Sequence, residues 1–174
     1  MPSTSSRGCL RWVRWTDPVT APDPAYRPCV GVMLTDGHGR VWAGERIDTP
    51  GAWQMPQGGI DADEEPRAAA LRELEEETGI DASQVTVVAE SADWLPYDLP
   101  QDVAARLWGG RFRGQAQKWF LLRYHGDDAA VCIDRPDPEF SDWRWVAPGA
   151  LVDLIVPFKR PVYARVLSEF EDRL

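Results

Sequence analysis

The stretch that decides the fold is Gly58-Gly59-Ile60-Asp61-Ala62-Asp63-Glu64-Glu65-Pro66-Arg67-Ala68-Ala69-Ala70-Leu71-Arg72-Glu73-Leu74-Glu75-Glu76-Glu77-Thr78-Gly79-Ile80. Its Ala, Leu, Glu and Arg content predicts a helix over residues 64–78. Pro66 suits the first turn, where a missing N–H costs nothing, and Gly79 suits the C-cap. Within that helix Glu73, Glu76 and Glu77 stand at i, i+3 and i+4, so their carboxylates share one face. Like charges so placed repel by about 0.2–0.5 kcal/mol per pair, and the C-terminal half of a helix disfavours negative charge. Two readings are open at this point. The face is either a solvated acidic surface or a set of hard oxygen ligands for a divalent cation of the Mg²⁺ type, which reverses the sign of the cost.

Outward from this helix the pattern changes period. The apolar run Cys29-Val30-Gly31-Val32-Met33-Leu34 reads as a buried strand. Asp36-Gly37-His38-Gly39 reads as a turn, and residues 40–46 as a second strand that completes a hairpin. Pro56-Gln57-Gly58-Gly59 reads as a loop. Further strands are expected over 84–90, 117–124 and 143–146, and a short helix over 150–154. A closing helix is expected over 161–170, with Val162, Val166 and Phe170 at fourfold spacing. Strands mixed with helices give a layered α/β domain over residues 26–174. Residues 1–25, rich in Ser and Pro, read as a flexible tail from which Trp12 and Trp15 could pack on the body. Trp53, Trp119, Trp143 and Trp145 are expected in the core or on a sheet face. His38 and His125 sit at turn signals and are expected to be structural.

The 174 residues suffice for one domain with its own core. Net charge is −9, from 28 acidic against 19 basic residues. That excludes a generic nucleic-acid coat but not a nucleotide substrate, whose phosphates a metal can neutralise locally. The three cysteines, Cys9, Cys29 and Cys132, lack zinc-site spacing and read as reduced thiols. No apolar run approaches the roughly 20 residues of a bilayer span, and no secretory h-region follows Arg7. A cytoplasmic monomer with no DNA or membrane partner is expected.

The opening stretch matches every fixed position of G-x5-E-x7-R-E-U-x-E-E-x-G-U, where U is a bulky aliphatic residue. On that match the chain resembles the Nudix hydrolases. The resemblance implies an α/β/α sandwich with a mixed sheet and a loop–helix–loop that holds divalent metal against a pyrophosphate linkage. Glu73, Glu76 and Glu77 would be metal ligands, with Mg²⁺ or another divalent cation such as Mn²⁺ as cofactor. Arg72 would orient the carboxylates through Glu64, and the backbone of Gly58 and Gly59 would allow close approach by metal or substrate.

Further stretches resemble the bacterial RNA pyrophosphohydrolase branch, itself similar to diadenosine tetraphosphate hydrolases. They are Tyr26-Arg27-Pro28, Trp53-Gln54-Met55-Pro56-Gln57, Trp94-Leu95 with Tyr97 and Leu99-Pro100, Gly114-Gln115 with Gln117-Lys118-Trp119-Phe120, Pro138-Glu139-Phe140, and Phe158-Lys159-Arg160. This implies Glu139 as a further metal-binding carboxylate and Arg27 and Lys118 beside the phosphate chain. It also implies Arg46, Tyr97, Val156, Phe158 and Lys159 as the residues that hold the first bases of an RNA. The implied reaction converts a 5′-triphosphate RNA end to a 5′-monophosphate, which promotes transcript decay. Dinucleoside polyphosphate hydrolysis is the alternative. It gains weight from Ala52 in place of a small hydroxyl residue, from Pro96 in place of a basic one, and from the acid Asp98. A non-catalytic nucleotide- or RNA-binding module is a third reading, disfavoured because every signature carboxylate is present.

Overall fold

The computed structural model describes residues 21–174. The expected packing of Trp12 and Trp15, with most of the tail, lies outside the described residues. The elements run β1 (Tyr26–Thr35), β2 (Val41–Arg46), β3 (Trp53–Gln54), β4 (Gln57–Gly59), α1 (Pro66–Thr78), β5 (Val85–Glu90), β6 (Leu95–Asp98), α2 (Gln101–Arg106), β7 (Gly114–Tyr124), β8 (Phe140–Val146), α3 (Leu151–Leu154) and α4 (Arg160–Phe170). The spine of the sheet is β3-β2-β1-β7-β5, with β4 on β1, β6 on β7 and β8 on β2. β1 and β7 are parallel from Tyr26↔Gly114 to Thr35↔Arg123, and the other pairings are antiparallel, so the sheet is mixed.

Alternation along β1 and β7 splits the core in two. Val30, Val32, Leu34, Phe120 and Leu122 face Ala69, Ala70 and Leu74 of α1. Met33, Trp119 and Leu121 face Val162, Tyr163, Val166 and Phe170 of α4. Small alanines on the inner face of α1 let that helix lie close to the sheet. Helices cover both faces, as the α/β/α expectation requires. The fourfold stripe of α4 is the buried one, and Trp53 and Trp119 are buried. Among the described residues no helix is long and apolar enough to cross a membrane.

Three expectations need correction. The loop at residues 56–59 contains a strand, because Gln57–Gly59 pairs with β1 at Gly31↔Gln57, Val30↔Gly58 and Cys29↔Gly59. Glycines that look like a turn are used here for close backbone approach. The first hairpin is paired only at Thr35↔Val41, and β2 then diverges to bond β8 and β3. The helix begins at Pro66 rather than residue 64, because Glu64 turns its carboxylate back to Arg72. Ahead of β1, Arg113 N–H donates to Ala25 O and Tyr26 N–H to Asp23 O.

Candidate active site

α1 presents its acids to the bare edge of β4. A Cβ on Gly58 would land inside the Glu73 carboxyl group, so only glycine lets that carboxylate lie against the strand. Gly58→Ala is therefore expected to cost about 1–3 kcal/mol through overpacking, read as a lower midpoint in urea unfolding, and to displace Glu73 with loss of turnover.

Arg72 is the hub of the acidic face. Its Nε and Nη2 donate to both Glu64 oxygens at 2.9 Å, its Nη2 also to Gly59 O at 2.9 Å, and its Nη1 to Glu73 at 2.8 Å and Glu76 at 3.1 Å. The fork on Glu64 is bidentate, the geometry that best fixes a guanidinium. The hydrogen bonds from Arg72 hold the Glu64 carboxyl below its usual range despite partial desolvation. Glu73, more enclosed, is pushed upward by burial, which Arg72 only partly offsets.

Glu77 is the anomaly. It is 6 % exposed, its Oε2 accepts from Gln57 N–H at 3.2 Å, and its Oε1 is buried without a partner. Burial raises its pKa well above the carboxylate range, and the charges of Glu139 and Glu73 raise it further. A buried carboxylate oxygen left unpaired costs free energy, so stability alone does not account for a carboxylate at this position. Among the described residues no three acids already converge into a metal cage, because Arg72 draws Glu73 and Glu76 to itself. The orphaned Glu77 oxygen, the Gly58 cradle and the set of hard oxygen donors nevertheless fit a divalent cation.

Glu139 precedes β8 and accepts weakly from Arg46 Nη1 at 3.5 Å, while its carbonyl anchors Ile47 N–H at 3.0 Å. Arg46 is held more firmly by Asp48, at 2.6 and 2.5 Å, a partner that sequence reading missed. On the other side of β4, Lys159 is buried and donates to Gln57 Oε1 at 2.9 Å and Gln54 Oε1 at 3.2 Å. Burial pulls its pKa down to about 8, with the positive charge of Arg46 acting in the same sense. Tyr97 is buried too. Its hydroxyl donates to Gln115 at 2.6 Å, and its ring packs 6.0 Å from Phe158 and 5.7 Å from Lys159 Nζ. It thus lies in the floor, not displayed for stacking, whereas Val156 and Phe158 are half-buried.

The structure thus joins Lys159, Tyr97 and Phe158, and separately Glu64, Arg72, Glu73, Glu76 and Gly59. Gln57 ties the first group to Glu77, which lies in neither group. Its N–H serves Glu77 and its side chain serves Lys159 and Gln117. The sequence offered only a weak signal for it, glutamines at alternate positions in Gln115-Ala116-Gln117 and around Pro56. Arg27 lies against Gly59, where a Cβ would meet its guanidinium. Lys118 is not tied to either group by any described contact; its Nζ bonds the carbonyls of Ser91 and Ala92.

A two-faced sandwich with a carboxylate helix docked on a glycine strand defines a class, and residues 25–166 match the model of the NUDIX domain. The chain belongs to the Nudix family. Within it, the chain is 59 % identical over 150 residues to an RNA pyrophosphohydrolase of Roseobacter denitrificans, covering 86 % of this chain and 94 % of that one. It is 53 % identical over 152 residues to an RNA pyrophosphohydrolase of Rhodospirillum rubrum, covering 87 % and 91 %. Among solved structures, the E. coli dihydroneopterin triphosphate pyrophosphohydrolase superposes with a TM-score of 0.62 at 22 % identity, covering 83 % of this chain and 98 % of that one. A C. elegans Ap4A hydrolase complex superposes with a TM-score of 0.59 at 15 % identity over the same shares. At these identities the two structures speak for the fold alone.

Proposed function

We propose that this chain is an RNA pyrophosphohydrolase that converts the 5′-triphosphate end of RNA to a 5′-monophosphate with Mg²⁺ or Mn²⁺ as cofactor. The observation that carries the chemistry is the buried Glu77 carboxyl with one unpartnered oxygen beside Glu73 in the Gly58 cradle. The RNA substrate is supported by relatives of that name at 53–59 % identity over most of the chain.

Glu73, Glu76, Glu77 and Glu139 would hold the cation. When bound, it neutralises phosphate oxygens and makes a water more acidic. Glu76 is the member best placed to take a proton, since it is 58 % exposed and tied only by one bond to Arg72. Water oxygen attacks phosphorus in line, the anhydride P–O bond breaks, and the water proton ends on Glu76. Arg72 keeps the carboxylates in place while Glu64 keeps Arg72 in place. Arg27 steadies the departing phosphates through charge-assisted bonds. Arg46, Phe158, Val156 and Lys159 hold the first nucleotides, and Phe158 offers a half-exposed ring for a base.

Dinucleoside polyphosphate is the second reading, favoured by the acidic Asp98. In the fold, however, Asp98 is neutralised by Arg113 at 2.6 and 2.9 Å and accepts from Tyr26 OH at 2.8 Å. That acid therefore does little to repel RNA. With Mg²⁺, kcat/KM for a short triphosphorylated RNA is expected to exceed that for diadenosine tetraphosphate. The reverse order of the two values, measured in parallel, would transfer the assignment to the dinucleotide.

A further inference from the structure

Arg27 is a cation in a chain of 28 acidic residues. Among the described residues no carboxylate pairs with it. Two other things hold it. On one side its guanidinium lies against Gly59, where any Cβ would collide with it. On the other side the indole of Trp108 stands 5.2 Å from its central carbon, face on. Trp108 comes from the excursion between β6 and β7, on the turn Leu107–Gly110 that follows α2. Two arginines of the same excursion are treated differently. Arg106 is paired with Asp102 at 2.7 Å and Arg113 with Asp98 at 2.6 Å.

The contrast has a physical logic. A carboxylate would fix a guanidinium but cancel its charge, and so spoil it for a polyanionic phosphate chain. An aromatic face fixes the plane of the guanidinium and leaves its charge and its edge N–H groups for another anion. The backbone of Trp108 is built for this placement at a cost. Its φ of 49° and ψ of 28° are left-handed, a region that side chains other than those of Gly, Asn and Asp rarely adopt. Gly109 and Gly110 continue the left-handed run at φ 65° and 71°. Phe112 braces the indole edge-on at 6.1 Å. Without a demand on the ring, glycine or asparagine would serve better at position 108.

We propose that Trp108 is a positioning residue for the hydrolysis, acting through Arg27, whose guanidinium it aims at the phosphate chain without neutralising it. This inference rests on the phosphate-chain role of Arg27 in the RNA pyrophosphohydrolase reading. The test is a double-mutant cycle in the full-length protein with triphosphorylated RNA. Trp108→Asn keeps a residue that tolerates the left-handed backbone but removes the ring. It is expected to lower kcat/KM by about 3- to 30-fold, the range of cation–π pairs, with little change in thermal midpoint. Trp108→Phe, which retains a ring, is expected to restore most of the loss. In an Arg27→Ala background Trp108→Asn is expected to have no further effect. Two results would overturn the proposal: an unchanged kcat/KM in Trp108→Asn, or a full loss that persists when Arg27 is absent, which would make Trp108 a substrate contact of its own. The same cycle read as Kd for inorganic tripolyphosphate by calorimetry needs no turnover. If the wild type failed to cleave triphosphorylated RNA, the functional reading would fall while the calorimetric cycle still decided the role of Trp108.

Discussion

Glu76→Gln is expected to lower kcat on triphosphorylated RNA by about 10²–10⁴-fold, the usual contribution of a positioned general base, while leaving the fold intact. The substitution is nearly isosteric, and Glu76 is 58 % exposed, so no core contact is lost. Its one described side-chain bond is accepted from Arg72, and a glutamine carbonyl can accept the same bond. What glutamine cannot do is take a proton from water. Rapid-quench measurement of a single turnover separates this from product release. A variant that keeps full turnover would move the proton to Glu77 or Glu139.

Glu77→Gln is expected to act in opposite directions on stability and activity. In metal-free protein the buried Glu77 carboxyl has a pKa raised well above its usual range, by burial first and by Glu139 and Glu73 next. A raised pKa means that the folded state binds the proton more tightly than the unfolded state does. The stability linked to that proton is complete below the unfolded-state pKa and is lost as pH rises through the folded-state value. With a chelator present, wild-type protein should therefore lose thermal midpoint as pH climbs from the ordinary carboxylate range. The glutamine variant should show a flatter profile and melt higher at neutral pH. Activity should move the other way, with loss of divalent-cation binding and of turnover by at least about 10²-fold. A Glu77→Gln protein that melts no higher than wild type in chelator would mean that the carboxyl is not strained by its surroundings.

Legibility followed the range of the interactions. The acidic face of α1, its Arg72–Glu64 clamp and its Gly79 cap are set by spacings of eight residues or fewer, and the chain displays them directly. The stripe of α4 is equally local. By contrast, β4 looked like a turn because the glycines that admit the Glu73 carboxyl are also turn formers. β6 was hidden by Pro96, which is tolerated because it sits on an exposed strand position. α2 was missed altogether, a short helix without apolar periodicity. Resemblance points to Lys159 and Tyr97 as substrate-holding residues, but no local pattern shows that both are buried. The bond from Lys159 to Gln57 spans 102 positions, a relation that no local pattern encodes. Trp108 carried no signal either, because its role depends on a left-handed turn that brings it to the start of β1.

Gln57 on the three-residue strand β4 has a consequence for how the molecule responds to its ligands. One residue touches Glu77 through its main chain and Lys159 through its side chain. A shift in either neighbour must therefore be felt by the other, and such influence is reciprocal. By whatever factor a cation at Glu77 alters the affinity for a nucleotide at Lys159, the nucleotide would alter the affinity for the cation by the same factor. The proposed metal and nucleotide sites would then act as one linked unit rather than as two independent ones.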